Sequence, residues 1–491
     1  MKSRVVASIL ILTLLFTFAL GSSVVGAESP TFSLKPATAY ARTGTSISFR
    51  LMAYNITDMN SWTVRIEWDP AIITLHVAPF EGDALNEGWM ESTFTSTNGT
   101  GYLEMTDSLT GDNVGDSVTF DEGLLAIFYL RAVKLPPEAG TTVSIASAEY
   151  KDPTGVPTTP AVEHAVVKPP APGVTVIEWL THWTSVAEMT FWDQCIAEFE
   201  AENPKIHVVL TSVDFESLYD VIMTRFAAGE DPDLIHIHAM WVPKFVTKQM
   251  LSTPPPDVQT EVETQWTEDA KDGATFLGTI WGYPTEYNSW ALVWNKKIFA
   301  EVGLDPEVPP TSWGIPSIGE GELETMAVKC TTRDEFGVIN RTGFYPVFDS
   351  SPEEERFQFM SLLWSNGGEY IDFNKPEATF NSKEGVEVLE LYKWCRDKTF
   401  DPIVHPAARV WWEAWEPPYE LAIMVLPTWM TYIRDAMGED FTPETIGIAP
   451  VPVGPSGVSS KSVVYSWMAT VTKRAEQRVD YTGGPTHAEA A

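Results

Sequence analysis

Three imidazoles and one carboxylate in the middle of this chain are residue types that bind metals, grip polar ligands or move protons. His236 and His238 stand two apart in DLIHIHAM, hence on one face of an extended strand, and His182 closes TVIEWLTH. Three imidazoles could form a metal site, but the sequence fixes no carboxylate beside them, and buried, hydrogen-bonded histidines are the preferred reading. No metal or other cofactor is therefore expected. Glu286 lies in WGYPTEYNSWALVWNK. There Glu286, Asn288, Trp290, Leu292 and Trp294 face one way in an extended chain, and Tyr287, Ser289, Ala291, Val293 and Asn295 the other. Neither face is purely apolar, which fits the wall of a site that grips something flat and polar better than a plain core strand.

Catalysis has a weaker case. Glu413 and Glu416 in WWEAWE could be offered as the carboxylate pair of a glycan hydrolase, whose members stand about 5–10 Å apart. With 67 acidic residues in the chain such a spacing arises easily by chance. No nucleophile elbow, metal-hydrolase helix motif or phosphate-binding loop is found. Binding without chemistry is favoured over a secreted glycan-active enzyme.

The elements that must position these residues belong to several domains, because 491 residues exceed the roughly 150 of an average domain. A formal net charge of -35 excludes nucleic acid and anionic membrane surfaces as natural partners. Lys2 and Arg4 before an apolar stretch ending near Leu20, then Val25-Gly26-Ala27, predict a secretory signal over residues 1–27. No cysteine forms a lipid-attachment box and no later run approaches the roughly 20 apolar residues of a membrane span. The expected location is secreted, at the extracellular face of the cell envelope. Cys195, Cys330 and Cys395 do not make a disulfide framework. Cys195 is expected to be buried on the stripe Trp192, Cys195, Ile196, Phe199, and a bridge between Cys330 and Cys395 is left open.

Residues 28–168 read as an all-β sandwich, with short alternating runs such as SISFRLMAYNI and WTVRIEW between Gly, Asn, Asp and Pro clusters. Pro169-Pro170-Ala171-Pro172-Gly173 then marks a linker. From Val174 onward strands alternate with helices. TVIEWL, IHVVLTSV and DLIHIHAM are strands; Val186 to Glu202 is a helix stopped by Asn203-Pro204, and a second helix opens at the capping-box-like Ser217 to Asp220 and ends at Gly229. Such repeats imply a parallel sheet whose ligands sit beyond the strand carboxyl ends. Those ends fall at His182-Trp183, at Asp214 and at His238 to Trp241.

EFEAENPKIHVVL, FAAGEDPDLIHI, GTIWGYPTEYNSWALVWNKKIFAEVGL, WSNGGEYIDFNKPEATFNSKEGVEVLELY, ELAIMVLPTW and IGIAPVPVGPSG occur in the order that resembles family 1 extracellular solute-binding proteins of carbohydrate ABC transporters, over residues 174–473. TGTSISFRLMAYNI, VRIEWDPAIITL and DEGLLAIFYLRAV resemble the cohesin and carbohydrate-binding-module type of sandwich. The resemblance implies a multidomain chain: a cohesin-like sandwich, then a two-lobed α/β periplasmic-binding-protein-like domain. Lobe one would take residues 174–284 and part of 425–491, and lobe two residues 285–424. It also implies capture of a saccharide between the lobes and delivery to ABC permease subunits, with a dockerin-like or cell-surface partner for the sandwich. A sugar's apolar C–H face suits an aromatic platform, and its hydroxyl rim suits Glu, Asp and Asn. The residues expected at the ligand are His182, Trp183, Asp214, Trp241, Glu286, Tyr287, Asn288, Trp412, Trp429 and Trp467, with Trp290 and Trp294 left to the core. The family normally adds an apolar helical brace after YSWMATVTKRAE, whereas residues 477–491 have no apolar period, so the solute-binding domain reads as cut short at its C-terminus.

Overall fold

A computed structural model describes residues 29–491 except 83, 86–91, 316–317, 348–351, 373–376, 401–412, 416–419, 428–436 and 481–483. The expected signal segment, Trp412, Trp429, Glu416 and the side chain of Glu413 lie outside the described residues.

The first twelve strands are β1 (Thr31–Lys35), β2 (Thr38–Tyr40), β3 (Ser46–Met59), β4 (Ser61–Glu67), β5 (Ile73–Glu81), β6 (Thr95–Gly99), β7 (Tyr102–Ser108), β8 (Val118–Ala132), β9 (Thr141–Lys151), β10 (Pro157–Thr158), β11 (Ala161–Glu163) and β12 (Ala165–Lys168). They form two sheets, ordered β11-β1-β3-β8-β5 and β2-β12-β9-β4-β7-β6, with β10 beside β9. Phe32, Phe49, Phe128, Trp62 and Ile66 are among the side chains that fill the space between them.

The segment LLAIFYLRA of β8 is buried along nearly its whole length. A sheet covered on both faces has no polar alternate, which is why this strand reads as a continuous apolar run. Ala126, Phe128 and Leu130 point into the sandwich. Leu124, Ile127 and Tyr129, with Met52 of β3, instead join the core that holds Leu180, Val213, Leu218 and Ile222 of the next domain. Ion pairs Arg50–Asp193, Arg131–Glu230 and Arg42–Asp480 rim this contact. Tyr40 meets His207 edge-on at 5.0 Å. Burying each of the two aliphatic side chains of β8 there stabilises by about 1.5–3 kcal/mol. The proline linker thus joins two bodies that share a packed junction.

The second domain opens with β13 (Thr175–Thr181), α1 (Val186–Glu202), β14 (Ile206–Ser212), α2 (Phe215–Ala228) and β15 (Leu234–His238). Ser185 and Glu188 make the capping box of α1. Its apolar stripe does not form a core: Met189 alone is fully buried among its described residues, Phe199 is 38% exposed and Cys195 half-buried. The expected burial of Cys195 is therefore corrected, since α1 packs on the edge strand β14 and its side chains other than Met189 stay at least partly exposed along its length. Helix α2 begins two residues before the expected Ser217, because Asp214 is its N-cap and accepts from Ser217 N at 2.9 Å. Gly229 ends it in the left-handed region, φ 69°, which a residue without Cβ adopts freely.

A small ribbon, β16 (Thr275–Phe276) and β17 (Thr279–Ile280), precedes β18 (Tyr283–Asn295). Then follow β19 (Thr332–Arg333), β20 (Ile339–Tyr345), the ribbon β21 (Ile371–Asp372) with β22 (Glu377–Ala378), β23 (Leu421–Pro427), β24 (Ile446–Ala449) and β25 (Val464–Val471). One sheet runs β14-β13-β15-β25-β18-β23-β20-β19, with β24 also on β18. Tyr283 to Ser289 of β18 pair with β25, and Trp290 to Asn295 pair with β23 and β24. This strand passes from one half of the sheet to the other, and its character changes there. Of its first seven residues all but Pro284 are at least partly exposed, whereas Trp290 to Asn295 are buried. Trp290 and Trp294 lie in the core with Phe299, Trp313 and Phe344. Cys330 and Cys395 are buried in that same core, and all three cysteines are free thiols.

Residues 475–480 and 484–491 fold back on the first half of the sheet. Asp480 accepts from Val176 N at 2.7 Å, and His487 and Ala490 of the last short helix (His487–Ala490) are buried. A segment without apolar period is thus held by polar contacts.

Candidate functional site

Antiparallel register decides which side chains share a face. His238 of β15 stands opposite Trp467 of β25, and Trp467 stands opposite Glu286 of β18. Paired residues point to the same side, so these three form one transverse row, and His236, two residues from His238, joins them. His182 and Trp183 come over the row from the end of β13. The carboxylate that the sequence did not place beside the histidines is Glu286.

The cluster is tight. The rings of His182 and His236 are parallel with centroids 5.0 Å apart and their Nδ1 atoms 3.1 Å apart, and the His182 centroid is 4.2 Å from that of Trp467. Trp183 lies 4.4 Å from His236 and stacks on Trp192 of α1 at 4.3 Å. Its Nε1 donates to Glu286 Oε1 at 2.7 Å. His236 Nε2 is 2.6 Å from Thr285 Oγ1 and 4.0 Å from Glu286 Oε1. Burial pushes the imidazoles down, His182 to about 4 and His238 to about 3, the second helped by the Arg356 charge, and His236 also falls well below its ordinary value. Burial thus favours the neutral form of each ring. Burial raises the Glu286 carboxyl, and the Trp183 N–H opposes that rise.

Trp183 is 2% exposed and Trp467 4%, so both are packed rings in this conformation and not open platforms. The exposed lip is made by Phe215, 44% exposed, Met240, 40% exposed, and half-buried Trp241. Trp241 meets Tyr219 and Trp467 edge-on. The Glu286 side chain remains 33% exposed. On the other side, Phe357 of the helix Pro352–Ser365 stacks on Tyr465 at 5.2 Å and lies 6.1 Å from His238, carrying the ring contacts across to the second half of the molecule.

The sequence candidates divide accordingly. His182, Trp183, Trp241, Glu286 and Trp467 come together. Asp214 caps α2 instead, because an N-terminal helix turn has N–H groups that need an acceptor. Tyr287 turns to the opposite side, as alternation requires, and its hydroxyl reaches Asp269 at 3.2 Å. Asn288 is half-buried opposite Tyr465. Trp412 and Trp429 cannot be compared with this cluster, lying outside the described residues. Sequence reasoning missed Trp192, taken for a core-stripe residue, and Thr285 and Phe215. Thr285 carried one available signal, adjacency to Glu286. Two open surface hollows, about 480 and 450 Å³, lie away from the row, beside Ile318 and Lys383 and beside Ser289 and Lys461. Neither touches the clustered histidines.

Residues 183–480 match the model of the family described as bacterial extracellular solute-binding protein. Among similar proteins, a binding protein of Brucella abortus (strain 2308) is 22% identical over 269 residues, 54% of this chain and 61% of its own. The sn-glycerol-3-phosphate-binding periplasmic protein UgpB of Escherichia coli (strain K12) is 25% identical over 198 residues, 38% of this chain and 43% of its own. The chain thus spans less than two thirds of the length of either relative. An ABC transporter solute-binding protein from Thermotoga lettingae TMO, solved with alpha-D-tagatose, aligns with a TM-score of 0.49 at 22% identity, covering 64% of this chain and 75% of that one. Because the family match takes in well over half of the residues, including every member of the transverse row, the chain belongs to the bacterial extracellular solute-binding proteins.

Proposed function

We propose that this chain captures an uncharged saccharide between two lobes joined by β18 and presents it to the membrane subunits of an ABC importer at the extracellular face of the cell envelope. The observation that carries the reading is the partly exposed Glu286 carboxylate on the crossing strand, paired with Trp467, on whose ring both Phe215 and Trp241 pack. A carboxylate accepts hydrogen bonds from ring hydroxyls while an aromatic edge covers the C–H face. One relative is named for sn-glycerol-3-phosphate, but a site carboxylate and a net charge of -35 oppose a phosphate and favour a neutral polyol. Among the described residues no helix is long and apolar enough to cross a membrane.

The lobes are read as residues 174–284 with part of 425–491, and residues 285–424, a binding unit that catalyses nothing. Residues 28–168 are read as a cohesin-like sandwich that is rigidly attached to lobe one and available to a dockerin-like or cell-surface partner. Thermal-shift measurements against neutral saccharides and glycerol 3-phosphate test the function, because a ligand bound only by the native state raises its stability. The expected result is stabilisation by at least one saccharide, weakened by Glu286→Gln and by Trp241→Ala. Stabilisation by the phosphate alone, or turnover of any glycan in the panel, overturns it.

A further inference from the structure

The hydrogen bonds around His236 fix where its proton sits. Its Nε2 is 2.6 Å from Thr285 Oγ1, and that hydroxyl is 3.1 Å from the carbonyl oxygen of Trp467. A carbonyl only accepts, so the Thr285 proton goes to Trp467, and Thr285 can only accept from His236 Nε2–H. The lone pair of His236 is therefore on Nδ1, held there by a buried relay of the kind that orients metal-ligating imidazoles.

That lone pair faces Nδ1 of His182 across 3.1 Å. Two nitrogens bound to one tetrahedral zinc at about 2.0–2.1 Å each stand about 3.3 Å apart, so the separation needs almost no adjustment. His182, His236 and Glu286 each bring one ligand atom within 4.8 Å of the others. Closing the carboxylate onto an ion takes a shift on the order of 1.5 Å, within reach of a Glu side-chain rotation. Trp183 Nε1 holds Glu286 Oε1, as outer-shell donors hold ligating carboxylates. His182 is half-buried and Glu286 one-third exposed, so solvent reaches the edge of the cluster where a fourth ligand would stand.

We propose that His182, His236 and Glu286 form a binding site for a divalent d-block cation of the zinc class, with one coordination position open to water or to an oxygen of a bound ligand. Two imidazoles and a carboxylate select such a cation over calcium or magnesium, which prefer oxygen ligands alone. The site shares Glu286 with the proposed saccharide position, but it is argued from the ligand geometry alone and does not depend on that reading.

The test uses the full chain stripped with EDTA, without saccharide, so that its failure leaves the saccharide reading standing. Zinc chloride titrated calorimetrically in a non-chelating buffer should bind at one equivalent. His182→Gln and Glu286→Gln, at partly exposed positions, should each weaken binding at least ten-fold, while His207→Gln, at a half-buried histidine paired with Glu200 and outside the cluster, should not. Cobalt(II) added to the unaltered protein should give the intense visible bands of a tetrahedral site. The proposal is overturned by absence of those bands, or by zinc affinity unchanged in both site variants. Either result would assign the 3.1 Å contact to a direct hydrogen bond from His182 Nδ1–H to His236.

Discussion

Trp183 donates its indole N–H to Oε1 of Glu286 across 2.7 Å, tying the end of β13 to the strand that joins the two halves of the sheet. Because Trp183 is 2% exposed and packed on Trp192, its loss is a core defect as well as a lost contact. Trp183→Ala is expected to cost about 3–5 kcal/mol. Trp183→Phe keeps an aromatic ring but removes the donor to a carboxylate, a loss of about 1.5–3 kcal/mol. Trp241→Ala, at a half-buried lip position, should leave Tm nearly unchanged and lower saccharide affinity. Equal Tm losses at both positions would reject the distinction between packed ring and lip.

The thiols differ in the same way. Burial pushes the Cys330 thiol up to about 12 and raises that of Cys395 as well, whereas Cys195 is half-buried on α1. Since the thiolate is the reactive form, a colorimetric disulfide reagent should label one thiol per native chain and three after denaturation without reductant. Two unlabelled thiols under denaturing conditions would mean a bridge between Cys330 and Cys395.

Local signals made much of this fold legible. Helix α1 runs from Val186 to Glu202 as its spacing and the Asn203-Pro204 stop require, and β13, β14 and β15 fall where the apolar runs place them. The site was legible only as separate residues. That Glu286 belongs with His182 and His236 depends on β25 inserting between β15 and β18, a pairing between residues far apart in the chain. Strand alternation gave the right side for Tyr287, but nothing local says that Trp183 is covered by Trp192. The end of α2 was clear from Gly229, and its start was misplaced because Asp214 competes with Ser217 as cap, both being good acceptors. The junction with the sandwich left one trace, the unbroken apolar run of β8, which looks the same whether a second sheet or a second domain covers it.

That junction predicts coupled unfolding. Ile127 faces the solute-binding domain, not the sandwich interior. The full chain should therefore unfold with the sandwich and the first half of the α/β sheet in one calorimetric transition. Ile127→Asp, which places an unpaired charge in the contact, should split it in two and lower the second-domain Tm. Two independent transitions in the unaltered chain would show that the contact contributes little.

The last contact to test holds the C-terminal residues. His487 lies 2.9 Å from Asp233 and 3.2 Å from Asp480, with Arg478 also on Asp233 and Arg42 of the sandwich on Asp480. Burial alone would lower this imidazole, but hydrogen bonding and charge from the two carboxylates outweigh it and raise it to about 9. An unfolded histidine titrates near 6.5, so the charged ring contributes its stability in full below about pH 6.5 and loses it as pH rises through about 9. Asp480 has the opposite sign. Though burial opposes it, its hydrogen bonds to His487 and Val176 hold it below the ordinary value, so its contribution is present above the unfolded carboxyl pKa and is lost in acid. Stability from this cluster should be greatest in mildly acidic solution, with the histidine share on the order of 3 kcal/mol. Measured from pH 6 to 10, the Tm difference between the unaltered chain and His487→Gln should be largest near pH 6 and shrink toward zero by pH 10. A difference that stays constant across that range would mean that His487 is held by packing and carries no charge in the folded protein.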